Sequence, residues 1–130
     1  MLAKGWAALP AEASTGDVHV VESTPYDWLF SRCNGLIHHG GAGTTHAGLR
    51  WGRPTLVCPV FGDQPFWGLM VERIRVGPSP IPLGRLNVDL LKAALRELQS
   101  MSLQDKAVAL SKNIQMEGGA ETVADLIEAA

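Results

Sequence analysis

The chain has 130 residues, 46% hydrophobic, 18% charged and 6% aromatic, with 14 Gly, 8 Pro and a formal net charge of −2. That is one domain's length with enough apolar side chains for a single core, and it excludes a disordered or fibrous chain. The balance of 11 Lys and Arg against 13 Asp and Glu, with no basic run, argues against a grip on a nucleic-acid backbone.

No apolar stretch approaches the roughly 20 residues of a membrane-spanning helix, and Met1 to Pro10 carries no signal-peptide core. The expectation is a soluble, unsecreted protein of the cytoplasm, peripheral to a membrane at most. Cys33 and Cys58 lie in apolar segments without a paired pattern, as free thiols do.

Glycine and proline divide the chain. Eight of the 14 Gly fall between Gly35 and Gly68, whereas Asn87 to Glu117 has neither residue. The first stretch predicts turns and the second helices. Short aliphatic runs, Val18 to Val21, Leu36 to His38 and Thr55 to Cys58, predict strands buried on both faces of a parallel sheet. A fourth run, Val76 to Ile81, contains Pro78 and Pro80 and predicts an edge strand or an extended lead-in. Helices are predicted over Tyr26 to Cys33, Ala42 to Trp51 and Gln64 to Ile74, where Pro65 sits in the first turn. Further on, Val88, Leu91, Leu95 and Leu98 mark one helical face, and Leu103, Ala107, Leu110 and Ile114 another. Glu121 to Ala129 makes a last helix, and all three read as packing elements. Strand–helix alternation gives an α/β class with a Rossmann-like parallel sheet and flanking helices.

Chemistry concentrates in Leu36-Ile37-His38-His39-Gly40-Gly41-Ala42-Gly43-Thr44-Thr45. A strand enters a Gly-rich turn and then a helix, whose free N–H groups and partial positive charge suit a phosphate. The hydroxyls of Thr44 and Thr45 could bond the same oxygens. On these residues alone two readings stand: a phosphate site, or a tight turn with Thr44 as helix cap. A P-loop would need Lys where Gly43 stands, and a dinucleotide fingerprint would need Gly where His46 stands. His38, His39 and His46 lack metal-site spacing, so no metal is assigned. His38 and His39 point to opposite faces; His39 is assigned to the site and His38 to packing and hydrogen bonding. At the next junction Asp63 and Gln64 stand at the carboxyl end of a strand, where open α/β sheets bind ligands. This pair suits a polyhydroxylated ligand such as a sugar, or caps the helix that follows.

Together, HHGGAGTTHAGLRWGRPTLVCPVFGDQPFWG, PYDWLF upstream and VGPSPIPLGRL downstream resemble the donor-binding domain of GT-B glycosyltransferases. The branch is the sterol 3-β-glucosyltransferase type of the family 1 UDP-sugar transferases, and the likeness runs from about Gly5 to near Glu117. The resemblance implies that His39, Gly41, Gly43 and Thr44 hold the pyrophosphate of a UDP-sugar and that Asp63 and Gln64 hold the sugar. It places Ser23 and Pro25 near the nucleoside. Ser23 replaces the base-stacking Trp of the plant-type pattern and Ala47 its ribose-binding Glu, as in the sterol and bacterial branches. The implied reaction is an inverting transfer of glucose to a sterol or similar lipophilic hydroxyl, with no cofactor beyond the UDP-glucose donor. No catalytic residue is assigned in this chain, because the general base belongs to the family's N-terminal, acceptor-binding domain. The resemblance also implies a partial domain over residues 1–130 without its first, central strand, Met1 to Leu9 being remains of the next strand and loop. The incomplete sheet would then offer an edge for self-association. The alternative is a non-catalytic structural or regulatory module whose Gly-rich turn is a relic; an NAD-binding protein is the third reading.

Overall fold

From Val20 to Arg73 strand and helix alternate because each aliphatic run is closed by Gly or Pro before the next helix begins. The computed structural model describes residues 1–3, 16–21, 24–117 and 119–129. In chain order they form β1 (Leu2–Ala3), β2 (Val20–Val21), α1 (Tyr26–Phe30), β3 (Leu36–His38), α2 (Ala42–Arg50), β4 (Thr55–Val57) and α3 (Gln64–Arg73). A 3-10 turn at Leu83–Arg85 leads to α4 (Val88–Leu98), α5 (Met101–Met116) and α6 (Gly119–Glu128). Most of Met1 to Leu9 and residue Ser23 lie outside the described residues.

Helix α1 is shorter than the predicted span to Cys33, and Arg53 supplies the reason. Its guanidinium donates to the carbonyls of Phe30 and Ser31 at 2.8 and 2.7 Å, satisfying the orphan acceptors of the helix end from outside. Helix α2 begins after Gly41, and Trp51 at its C-terminus donates its indole N–H to Asp27 of α1 at 3.1 Å.

The strands pair in two parallel couples. β1 pairs β2 with Leu2 opposite Val20; β3 pairs β4 with Leu36 opposite Thr55 and His38 opposite Val57. β4 is covered on both sides, as its unalternating composition predicts. Leu56 and Cys58 pack against Ala94 and Leu98 of α4, whereas Val57 packs with Leu49, Val71, Val76 and Ala107. Leu56 is fully buried, a burial that contributes about 2 kcal/mol. Both cysteines are free, and burial pushes the Cys58 thiol up from its ordinary value.

Two packing expectations, for α4 and α6, need correction, and the structure decides between the two alternatives for Val76 to Ile81. Val76 to Ile81 forms no strand and is an extended lead-in: Thr55 donates to the Val76 carbonyl and Ile81 to the Val57 carbonyl, both at 3.0 Å. Between these bonds Pro78 and Pro80 have no N–H to give. At Gly77 a Cβ would stand 1.9 Å from the Thr55 carbonyl oxygen, so the segment presses on β4 where a side chain has no room. On α4 the buried residues are Ala94 and Leu98 with Leu91 partly covered, while Val88 and Leu95 of the predicted face stay exposed. Helix α6 leaves Val123, Leu126 and Ile127 exposed, so among the described residues it is no packing element. On α5 the predicted face holds: Leu103 and Ala107 are buried, with Leu110 and Ile114 packed beside the core.

A cleft of about 900 Å³ lies between the two strand pairs, lined by Leu2 of β1, Ile37 of β3, Trp28 and Leu29 of α1, and Leu91 and Leu95 of α4. Leu36 donates to the Pro54 carbonyl and Cys58 to the His38 carbonyl. By the alternation of a parallel ladder, the peptide groups of Ile37 therefore face away from β4. Among the described residues no strand pairs with β3 on that side. Amide exchange followed by NMR should show Ile37 exchanging at least about tenfold faster than Leu36. Protection of Ile37 that grows with protein concentration would show two copies pairing through this edge.

Candidate functional site

Two βα junctions, at the ends of β3 and β4, converge at one edge of the sheet. At the first, Gly40 has φ +97°, a conformation that needs glycine. A Cβ there would lie 2.5 Å from Cγ1 of Val57, 3.1 Å from the Gln64 carbonyl oxygen and 3.4 Å from Cβ of Gln64. Gly40 thus lets the Gly-rich turn press directly on the start of α3. The residues assigned to phosphate and to sugar belong to loops in van der Waals contact.

Gly41 is the N-cap of α2 and brings no capping side chain. The first helical bond runs from the Thr45 N–H to the Gly41 carbonyl at 3.0 Å. The N–H groups of Ala42, Gly43 and Thr44 therefore have no acceptor within the helix. Above Gly43 a Cβ would meet nothing within 4 Å. Donors, open space and the positive end of the helix dipole together suit an anion.

His39 is exposed, and its ring folds back on the turn: Nε2 lies 2.8 Å from where a Cβ on Gly41 would stand. Glycine at 41 is what permits this approach. His38 has the packing role predicted for it. Its Nδ1 accepts the Gly40 N–H at 2.9 Å, so a neutral ring carries its proton on Nε2. That Nε2 is buried and without a partner among the described residues. Burial first, and the neighbouring His39 second, push the His38 pKa down to about 4. The rings stand edge to face with centroids 6.2 Å apart.

The two threonines divide. Thr44 stays partly accessible, with its Oγ1 3.4 Å from the Tyr26 hydroxyl. Thr45 is fully buried and donates its hydroxyl back to the Gly41 carbonyl at 2.9 Å. Thr45 is thus removed as a ligand contact, and Thr44 is not the helix cap. The side chain of Thr45 steadies the first turn from inside. Pro25, the residue before Tyr26, is the N-cap of α1.

At the second junction Asp63 takes the N-cap position of α3 without a side-chain capping bond. Its Oδ2 accepts the indole N–H of Trp67 at 2.9 Å. Gln64 is buried, and its Oε1 accepts the N–H groups of Val60 and Phe61 at 2.8 and 3.1 Å. The reading of this pair as simple helix caps is not what the side chains do. Gly40, Tyr26 and Trp67 adjoin the candidate residues and have no assignment from sequence. The spacing of Asp63 and Trp67, four apart on one helix face, was the available signal for the last. Among the described residues no group of three or more His, Cys, Asp or Glu could hold a metal ion. No helix among them is long and apolar enough to cross a membrane.

Residues 7–129 match the family model for the C-terminal domain of erythromycin biosynthesis protein CIII-like proteins. The chain belongs to this family. As an EryCIII-like C-terminal domain it is 43% identical over 117 residues to the sterol 3-beta-glucosyltransferase UGT80A2 of Arabidopsis thaliana. That match takes in 89% of the chain and 18% of the relative. With the sterol 3-beta-glucosyltransferase of Aspergillus fumigatus it shares 39% identity, covering 98% of the chain and 10% of the relative. Among solved structures, the kitacinnamycin glycosyltransferase superposes with TM-score 0.81 at 29% identity, over 88% of the chain and 30% of that structure. The glycosyltransferase VinC, solved in complex with dTDP, gives 0.74 at 26% identity, over 88% and 29%. The EryCIII-like domain thus has the α/β fold of these glycosyltransferase structures, and it spans under a third of the length of each of these relatives.

Proposed function

We propose that this chain is the donor-binding part of an inverting glycosyltransferase that takes UDP-glucose and glucosylates a sterol or a similar lipophilic hydroxyl. The observation that carries this reading is the contact of Gly40 with Gln64, which joins an anion-seeking helix N-terminus to a carboxylate–amide pair. A nucleotide sugar needs both, side by side. The sterol glucosyltransferase relatives support glucose and a lipophilic acceptor; dTDP on VinC makes the base the open variable.

In this mechanism the acceptor hydroxyl attacks the anomeric carbon as the glycosidic bond to the β-phosphate breaks. The charge that develops on the leaving UDP meets the N–H groups of Ala42, Gly43 and Thr44, the imidazole of His39 and the dipole of α2. These donors are oriented before the ligand arrives, so little reorganisation is needed during reaction. Asp63 and Gln64 orient the sugar. The acceptor proton passes to a general base on the part of the enzyme outside this chain, so the chain by itself binds donor and does not transfer. No metal or other cofactor has a step in it.

Calorimetry with UDP, UDP-glucose and dTDP tests the reading. His39→Ala should weaken UDP by about tenfold, the worth of one hydrogen bond to a charged group. Absence of heat with all three nucleotides, or identical titrations for the chain and His39→Ala, would favour the non-catalytic module.

A further inference from the structure

We propose that Trp67 is a positioning residue for sugar recognition, fixing the Asp63 carboxylate so that it meets the sugar with one defined acceptor oxygen. The inference rests on the donor-site reading above and goes beyond it, to the way the sugar contacts are held.

An Asp at a helix N-cap ordinarily turns its carboxylate onto the N–H of the second or third helical residue. Here the second residue of α3 is Pro65, which has no N–H. Asp63 itself has φ −83° and ψ −4°, a helical conformation and not the extended one that aims a capping side chain at the backbone. The carboxylate is therefore released from the capping role, and the indole of Trp67, one turn on, takes it at 2.9 Å. Trp67 is half-buried and packs edge to face with Phe66, centroids 5.4 Å apart. Its N–H can only donate, and Asp63 Oδ2 uses that capacity. Oδ1 remains the oxygen available to a ligand.

Gln64 is held in the complementary sense. Its Oε1 faces two backbone donors, which also settles the orientation of the amide. Its NH2 group is what remains for a ligand. The pair thus offers one acceptor and one donor, each braced by a bond the ligand does not make. A vicinal diol, donating through one hydroxyl and accepting through its neighbour, matches that order. Bracing matters because a free carboxylate rotor would have to be ordered by the sugar, at a cost in affinity.

The test is calorimetry on the 130-residue chain with UDP and UDP-glucose in parallel. The variants are Trp67→Phe, Asp63→Asn, the double variant, and a chain with benzothienylalanine at position 67, which keeps the bicyclic shape and lacks the N–H. The ratio of UDP-glucose to UDP affinity should fall about fivefold in Trp67→Phe and in the benzothienylalanine chain, with UDP affinity unchanged. The double variant should be no weaker than Asp63→Asn alone, since both changes remove one arrangement. Equal weakening of both ligands would mean a merely structural Trp67, and an unchanged ratio in the benzothienylalanine chain would overturn the proposal. If the unmodified chain binds neither ligand, the donor-site reading itself falls and this proposal with it.

Discussion

Replacing Gly40 by alanine should lower the free energy of unfolding by about 2–4 kcal/mol, one part from an L-residue forced to positive φ and the other from overpacking. The clash is specific: the new methyl would stand 2.5 Å from Val57 and 3.1 Å from the Gln64 carbonyl oxygen. Val57 is in the core of β4 and the carbonyl is backbone, so neither yields cheaply. Relief requires the turn to lift off α3, which separates the N-terminus of α2 from Asp63 and Gln64. Gly43→Ala should behave in the opposite way. Nothing lies within 4 Å of its Cβ position, and alanine inside a helix is favoured by up to about 1 kcal/mol. Stability should hold or rise, while UDP binding weakens because the methyl occupies the approach to the free N–H groups. Urea unfolding with nucleotide titration measures both. A Gly40→Ala chain unfolding at the parent's midpoint would contradict the packing described for this turn.

Acid should destabilise the fold through His38. An unfolded His titrates near 6.5, whereas His38 in the fold is pushed down to about 4 by burial and by His39. Between these values the unfolded chain binds more protons than the folded one, so stability rises with pH across the window and falls as the pH drops through it. The shift corresponds to about 3 kcal/mol lost between pH 7 and pH 4. His38→Asn retains an acceptor for the Gly40 N–H without a titrating ring. Urea unfolding at the two pH values should show the parent losing about 3 kcal/mol more than His38→Asn, the carboxylates contributing equally to both. Equal losses would mean that His38 is not held neutral by the fold.

The legible part of this protein is local. Gly and Pro placed the ends of β3 and β4 and the starts of α2 and α3 within a residue or two, because turn geometry depends on the residues in the turn itself. His39 and His38 were told apart by strand alternation, and their separate environments follow. The C-terminal helices were less well read. The α4 face came out rotated toward Ala94, since a leucine is buried only where a neighbour covers it, and Val88 has none among the described residues.

Sequence by itself determined the α/β rhythm, the family likeness and the place of the candidate residues at the carboxyl ends of two parallel strands. Those features rest on backbone propensity and on motifs read within a few residues of themselves. Tertiary structure decided which groups are free to act. Thr44 and Thr45 are adjacent and chemically alike, yet one faces outward and the other is spent on the Gly41 carbonyl. Asp63 is a ligand candidate and not a cap because Pro65 and Trp67 stand on the same helix. The contact of Gly40 with Gln64 joins residues 24 positions apart, and the unpaired edge of Ile37 depends on what lies across the cleft. Hydrogen-bonding capacity is finite and packing is non-local, so neither can be assigned until the neighbours are in place.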